Sequence, residues 1–191
     1  MSNAPPFAAR QRQAGISTVE FAFTSLLFFM LLFGIIDFAR IAWEFNSAAK
    51  ATQLGARLAS VNRMVATGLR TYDGLAAAHG NGRAVPAGSV AEVRCDNTGC
   101  TGAGGAIDNQ VFTTIVNRMS NIYGRIGPAN VVVIYRHAGL GIAGNPVGSD
   151  IFPMVTVELR DLAFQPVTPG LTFASFTMPA FATTMNAENP T

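Results

Sequence analysis

The sequence is poor in charge. Asp, Glu, Lys and Arg make up 13% of its 191 residues, about half the share usual in a soluble domain. The 13 basic residues exceed the 11 acidic ones by only two, so no basic surplus exists to neutralise phosphates, which argues against a nucleic-acid partner. Cysteine is scarce, at two residues, too few for a disulfide-dense small scaffold. Histidine is equally scarce, and neither His79 nor His137 has a nearby nucleophile in the chain. The sequence contains neither G-x-S-x-G nor H-E-x-x-H, so nothing in it points to an enzyme or to a cofactor. What the chain has in plenty is apolar surface: 49% hydrophobic residues and a mean hydropathy of +0.31, which exclude a disordered chain.

That surplus is concentrated. Phe21 to Ile36 reads FAFTSLLFFMLLFGII, sixteen residues without a charge, and extending back to Ile16 adds only Glu20 as an interruption. About 20 helical residues cross the roughly 30 Å hydrocarbon core of a bilayer, so the stretch is long enough to span. Arg10 and Arg12 precede it with no acid before Glu20, whereas Asp37, Arg40 and Glu44 follow. The positive-inside rule therefore places residues 1–15 in the cytoplasm and everything after Asp37 across the membrane. Two plain readings are a permanent single-pass anchor and a secretory signal peptide. The second fits less well, because the apolar run is long and the nearest small-residue cluster, Ser47-Ala48-Ala49, lies beyond three charges.

Glu20 sharpens the reading. A carboxylate at mid-bilayer costs about 2.5–3.5 kcal/mol on insertion scales and less near an edge. Here a short basic leader ends in Gly15, an apolar segment starts at Ile16, and Glu is its fifth residue. That spacing resembles the type IV prepilin processing site, at which a membrane-embedded prepilin peptidase cuts after the Gly. Cleavage at Gly15–Ile16 would create an α-amino group with a reference pKa near 7.7–8.0. Buried in a fibre, that cation and the Glu20 carboxylate need each other, since stripping one member from a buried pair costs about 3–5 kcal/mol. The pair would act as a register device between neighbouring helices. Cleavage would also remove Arg10 and Arg12, leaving 11 basic and 11 acidic residues.

The resemblance narrows further. Gly15, Glu20, the apolar run, Gly34 with Asp37 and Arg40, and the Ala-rich stretch ending near Gly55-Ala56-Arg57 are similar to the N-terminal signature of the TadE-like family, pseudopilins or minor pilins of the tight-adherence (Tad) pilus and secretion system. It covers roughly the first sixty residues. One departure is Ile16, where many pilins have Phe or Met. The resemblance implies a chain processed by a prepilin peptidase and acting in pilus assembly, initiation or adhesion. Its implied partners are the peptidase, other Tad pseudopilins, the major pilin and the inner-membrane assembly platform. The expected layout is α+β: a cytoplasmic leader over 1–15, a pilin-like transmembrane helix over 16–36, its periplasmic continuation over 37–66, and a small periplasmic α+β domain with antiparallel sheet over 67–191.

The continuation is expected to be helical to about Ala66, since no Pro interrupts it and Ala, Leu and Arg are frequent. Leu54, Leu58, Val61 and Val65 form one face, expected to pack on the chain's own domain. Ala48, Thr52, Gly55 and Ala59 form a second face of small residues that permits close helix approach, a weaker candidate for contacts between subunits. Asp37 and Arg40, at i and i+3, are expected to pair on the surface for a few tenths of a kcal/mol. Farther on, Gly68 to Gly88 reads as loop and Val90–Cys95 as a short strand. Asp108 caps a helix over Asn109–Tyr123 with Val111, Ile115, Met119 and Ile122 on one face. Asn130–Arg136 and the alternating Met154–Arg160 read as strands, and Leu171–Phe181, interrupted by Pro179, as an edge strand.

Cys95 and Cys100 enclose four residues. In an exported domain the default is a disulfide closing a surface loop. A zinc site would need further ligands, with only His79 and His137 at hand, both read as surface or loop residues. C-x4-C is also not the C-x-x-C of redox pairs. Gly139, Gly141 and Gly144 spell G-x-G-x-x-G, but Asn145-Pro146 and Gly148 follow where a dinucleotide site needs a helix to start, so the segment reads as a loop.

Overall fold

The computed structural model describes residues 8–168 and 176–188. Helix α1 (Ala8–Val61) is 54 residues long, about 80 Å at 1.5 Å per residue. There follow α2 (Leu75–Ala78), β1 (Val93–Asp96), β2 (Gly99–Cys100), α3 (Asn109–Ser120), β3 (Val131–Arg136), β4 (Met154–Leu159), β5 (Ala163–Phe164), β6 (Phe176–Thr177) and β7 (Phe181–Asn186). The layout is α+β: a long N-terminal apolar helix, then a small antiparallel sheet. The chain divides into two compact units, residues 1–42 with 165–176 and residues 43–164 with 177–191.

The second unit is built on a five-stranded sheet of order β2-β1-β3-β4-β7, antiparallel at every pairing. The β-branched run VVVIY makes β3 the central strand, and all five of these residues are buried. Alternation in β4 buries Val155, Val157 and Leu159. The opposite face carries an ionic ladder in which Arg94 reaches Glu158 at 2.8 Å and Glu92 at 3.2 Å, and Glu92 also pairs with Arg136. Exposed pairs of this kind are each worth about 0–1 kcal/mol. Asp108 caps α3 as expected, its Oδ1 accepting from Gln110 N at 3.0 Å and Val111 N at 3.1 Å. The Arg70 guanidinium at 2.7 Å, with the Val111 amide, holds the Asp108 carboxyl below the usual aspartate range.

Several expectations shift. Helix α1 ends at Val61 rather than near Ala66. Asn62 caps the last turn, its Nδ2 donating to Leu58 O at 2.8 Å, and Met64, Val65 and Ala66 are all fully buried, which one helical face cannot achieve. Val65 N donates instead to the buried Tyr135 hydroxyl at 2.7 Å, and Ala66 bridges to Ile107. Helix α3 stops at Ser120 and leaves Ile122 outside its buried face. The first strand starts at Val93, not Val90. Of the expected 171–181 strand, residues 171–175 lie outside the described residues. The edge strand β7 begins after Pro179, beyond the residue that lacks an N–H.

The two faces of α1 within the second unit exchange roles. Ala48, Ala51, Thr52, Ala56, Ala59 and Ser60 are buried, Gly55 with them, whereas Leu54 and Leu58 are half-buried and Val61 is exposed. Small side chains let the helix come close: a Cβ on Gly55 would lie 2.5 Å from the Met119 Sδ of α3. Phe45 packs edge-on against Phe181 at 4.8 Å between ring centroids, and Glu188 N donates to Ser60 O at 2.8 Å. Seven residues of extended chain, about 23 Å, thus accompany fifteen residues of helix, about 22 Å, so β7 runs alongside α1 in the same direction.

This packing predicts an asymmetry between the two faces. Ala51→Leu inserts volume into a closed contact and should lower stability by about 1–3 kcal/mol. Leu58→Ala, half-buried, should cost less than about 1.5 kcal/mol. Urea unfolding of the detergent-solubilised chain, followed by near-UV circular dichroism, measures both; a larger loss for Leu58→Ala would contradict the packing.

Candidate functional site

Gly15 and Ile16 lie within α1, and Glu20 is exposed one turn further on. Among the described residues, no side chain elsewhere in the chain is brought to the Glu20 carboxylate. Around them the helix is built for an apolar medium. The Ser17–Val61 portion is long and apolar enough to cross a membrane, and its most apolar window, of mean hydropathy 2.3, is 0% buried. A core helix of a soluble protein would be covered by its own fold; this one displays Phe21, Phe23, Leu27, Leu31 and Ile35. Its two hydroxyls inside the run turn back on the helix, Thr24 Oγ1 donating to Glu20 O at 2.9 Å and Ser25 Oγ to Ala22 O at 3.0 Å. Neither needs a partner from lipid.

Two further carboxylates on α1 are buried, and the sequence did not reveal either environment. Asp37 is not a surface partner of Arg40 alone: it is only 7% exposed. Its Oδ1 accepts from Val167 N at 2.9 Å, its Oδ2 accepts from Thr168 N at 2.8 Å and from Thr168 Oγ1, and Arg40 Nη1 stands 3.3 Å away. Arg40 also reaches Gln165 O at 3.4 Å. These partners are about 130 residues distant in sequence, and the local i, i+3 spacing carried no trace of them. Glu44, in the other unit, accepts from Tyr123 Oη at 2.7 Å and pairs with Arg125 at 3.3 Å. Arg125 donates in turn to Ala163 O at 2.9 Å. Burial and the adjacent Glu44 carboxylate push the Tyr123 phenol up to about 12, so it remains a donor throughout the physiological range.

The cysteines are joined as expected. Cys95 and Cys100 form a disulfide with Cα atoms 4.1 Å apart, and they are register partners across β1 and β2. His137 lies in the loop after β3, as expected, but is buried rather than at the surface, with Nε2 3.3 Å from Val85 O. His79 takes the left-handed position closing α2. Among the described residues no three His, Cys, Asp or Glu side chains gather to hold a metal.

The 139–144 glycines form a loop with positive φ at Gly139, Gly141 and Gly144. A Cβ on Gly141 would lie 2.0 Å from Asp150 O, so close backbone approach requires glycine there. The amides of Gly144 and Asn145, with that of Gly74, donate to the Asp150 carboxylate at 3.0, 2.8 and 2.8 Å. An internal carboxylate therefore takes up these amides. Burial raises the Asp150 pKa, but these three donors outweigh it and leave it below the ordinary value. Beside this loop is an open cavity of about 630 Å³ lined by Leu140, Ile142, Phe152 and Asn81 among others, with no charged side chain.

An exposed helix of membrane-spanning length, leading into a small antiparallel-sheet domain, defines the class: an α+β domain carried on an N-terminal apolar helix. Residues 15–57 match the family model described as TadE-like protein, so the chain is similar to that family over its N-terminal segment. The match points to a pilin-like function associated with the Tad pilus and to association with a membrane. It covers α1 from Gly15 to Arg57 and leaves the sheet domain outside. No curated protein and no solved structure matches the chain.

The disulfide closes so short a loop that it should stiffen the β1–β2 hairpin without holding the fold together. The double variant Cys95→Ser, Cys100→Ser should keep its sheet by circular dichroism and lose about 2 kcal/mol, the small-loop end of the range. Protein purified without reductant should titrate no free thiol.

Proposed function

We propose that the chain is a minor pilin or pseudopilin of a Tad pilus or secretion machine, inserted in the bacterial inner membrane with its N-terminus cytoplasmic and its sheet domain periplasmic. A prepilin peptidase cuts it between Gly15 and Ile16. The observation that carries this reading is the spacing of Gly15, Ile16 and Glu20 at the head of the apolar run, inside the segment that matches the TadE-like model. The outward-facing apolar surface of residues 21–36 supports it, because that surface suits first lipid and then the helices of other subunits. The role is assembly, initiation or adhesion rather than catalysis. The partners are the peptidase, other Tad pseudopilins, the major pilin and the inner-membrane platform.

Two steps depend on different residues. Access of the scissile bond to the peptidase depends on the small Gly15. N-terminal sequencing of chain co-expressed with its peptidase should give Ile16 for the wild type and Met1 for Gly15→Val. A wild-type chain that keeps Met1 would favour a permanent anchor.

Glu20 acts after cleavage, as partner to the Ile16 ammonium of its own or a neighbouring chain. Glu20→Leu makes the span more apolar, so insertion and cleavage should survive. Assembly should weaken by roughly 10²–10³-fold, because the ammonium would be buried unpaired at a loss of about 3–5 kcal/mol. Co-purification of tagged mature chain with other Tad pilins reads this out. A cleaved Glu20→Leu variant that co-purifies normally would remove Glu20 from the assembly interface.

A further inference from the structure

In the sequence the apolar run ends at a charge, Asp37, and a boundary drawn from composition alone falls there. The structure hides that charge. The Asp37 carboxylate is taken up by Val167 N, Thr168 N, Thr168 Oγ1 and Arg40, and a carboxylate so satisfied no longer requires bulk water. The surface around this knot is apolar: Ile35, Phe38 and Val167 are 62%, 74% and 53% exposed. Farther along α1, Glu44 is also buried and Arg40 is half-buried against Asp37 and Gln165. After Glu20, the first well-exposed charged side chain on α1 is Lys50. Between them stands the chain's one tryptophan, Trp43, 64% exposed and five residues beyond Phe38, about 7.5 Å along the helix.

We propose that α1 leaves the hydrocarbon about one turn beyond Asp37, near Arg40. The Asp37–Thr168 knot then sits just inside the hydrocarbon boundary of a phospholipid membrane, Phe38 and Val167 contact lipid, and Trp43 lies at headgroup level. Tryptophan prefers that level, where its apolar ring meets lipid and its N–H meets water. The other end of the span agrees. Counting about 20 residues back from Arg40 reaches Glu20, which then lies at the opposite boundary. A span of 16–36 would hold it four residues inside, about 6 Å deep. One shift of register thus accommodates both carboxylates, Glu20 at one interface and Asp37 folded away at the other. This inference rests on the reading of α1 as a membrane span.

Trp43 is its own reporter. The full-length chain is reconstituted in phosphatidylcholine–phosphatidylglycerol vesicles carrying phosphatidylcholine brominated either near the headgroup end or near the methyl end of its acyl chains. Trp43 emission should be blue-shifted, protected several-fold from aqueous acrylamide, and quenched more by the shallow bromines than by the deep ones. Phe38→Lys places a charge on an exposed position that does not support the fold. It should move Trp43 outward, raising acrylamide quenching and lowering bromine quenching. Trp43 open to acrylamide and untouched by bromine, in a chain that resists carbonate extraction, would overturn the proposal while leaving the span intact. Blue-shifted emission without bromine quenching would assign Trp43 to a protein contact and overturn it as well. Release of the chain by carbonate would overturn the span itself, and the proposal with it.

Discussion

The close approach of α1 to its own domain governs the rest of the second unit. Ala48, Ala51, Thr52, Gly55, Ala56 and Ala59 present almost no side-chain bulk, so Met119 of α3 can reach the helix backbone at Gly55. Once the helix is that near, the larger side chains at the edges of the contact find fixed partners. Phe45 meets Phe181, and Glu44 must be satisfied in a place water does not reach, which Tyr123 and Arg125 accomplish. Leaving that carboxylate without its donors would impose the penalty of a buried unpaired charge. The small residues therefore set the geometry and the polar pairs enforce it.

Much of the architecture was legible because it rests on local rules. The uncharged run after Phe21, the β-branched core of β3, the alternation of β4 and the Asp108 cap each declare themselves within a few residues, and each is found where expected. The readings that moved depend on what lies across the fold. A stripe of Leu and Val looks more like a core than a stripe of Ala and Gly, yet shape decided the matter: the sheet domain required a thin helix face, and the leucines were left at the rim. The end of α1 was unreadable for a similar reason. Met64, Val65 and Ala66 have no local objection to helix and are drawn out of it by Tyr135 and Ile107.

Of the candidate site, the spacing of Gly15, Ile16 and Glu20 is a property of the sequence, and the fold adds to it only the exposure of Glu20 and of the apolar surface that follows. The environments of Asp37 and Glu44 are the reverse case. Both were visible as charges, and each owes its character to residues that arrive from far along the chain: Val167 and Thr168 for one, Tyr123 and Arg125 for the other. A single sequence counts a charge wherever it stands; only the fold decides whether solvent meets it.

The course of β7 has a consequence for crowding. Ala187 N donates to Pro153 O, which fixes the parity of the β4–β7 ladder: the backbone groups of Phe181, Thr183 and Met185 face β4, and those of Ala182, Thr184 and Asn186 face away. Among the described residues the outer edge of the sheet is therefore a row of donors and acceptors unpaired by any strand, without a charge or proline from Phe181 to Asn186, the kind of edge on which chains commonly aggregate. Over these residues β7 points the same way as the stretch of α1 that it accompanies, from Phe45 to Ser60. Two copies whose sheet domains stand side by side in one orientation therefore present these edges in a common direction, and joining them as antiparallel strands would require one copy to be inverted.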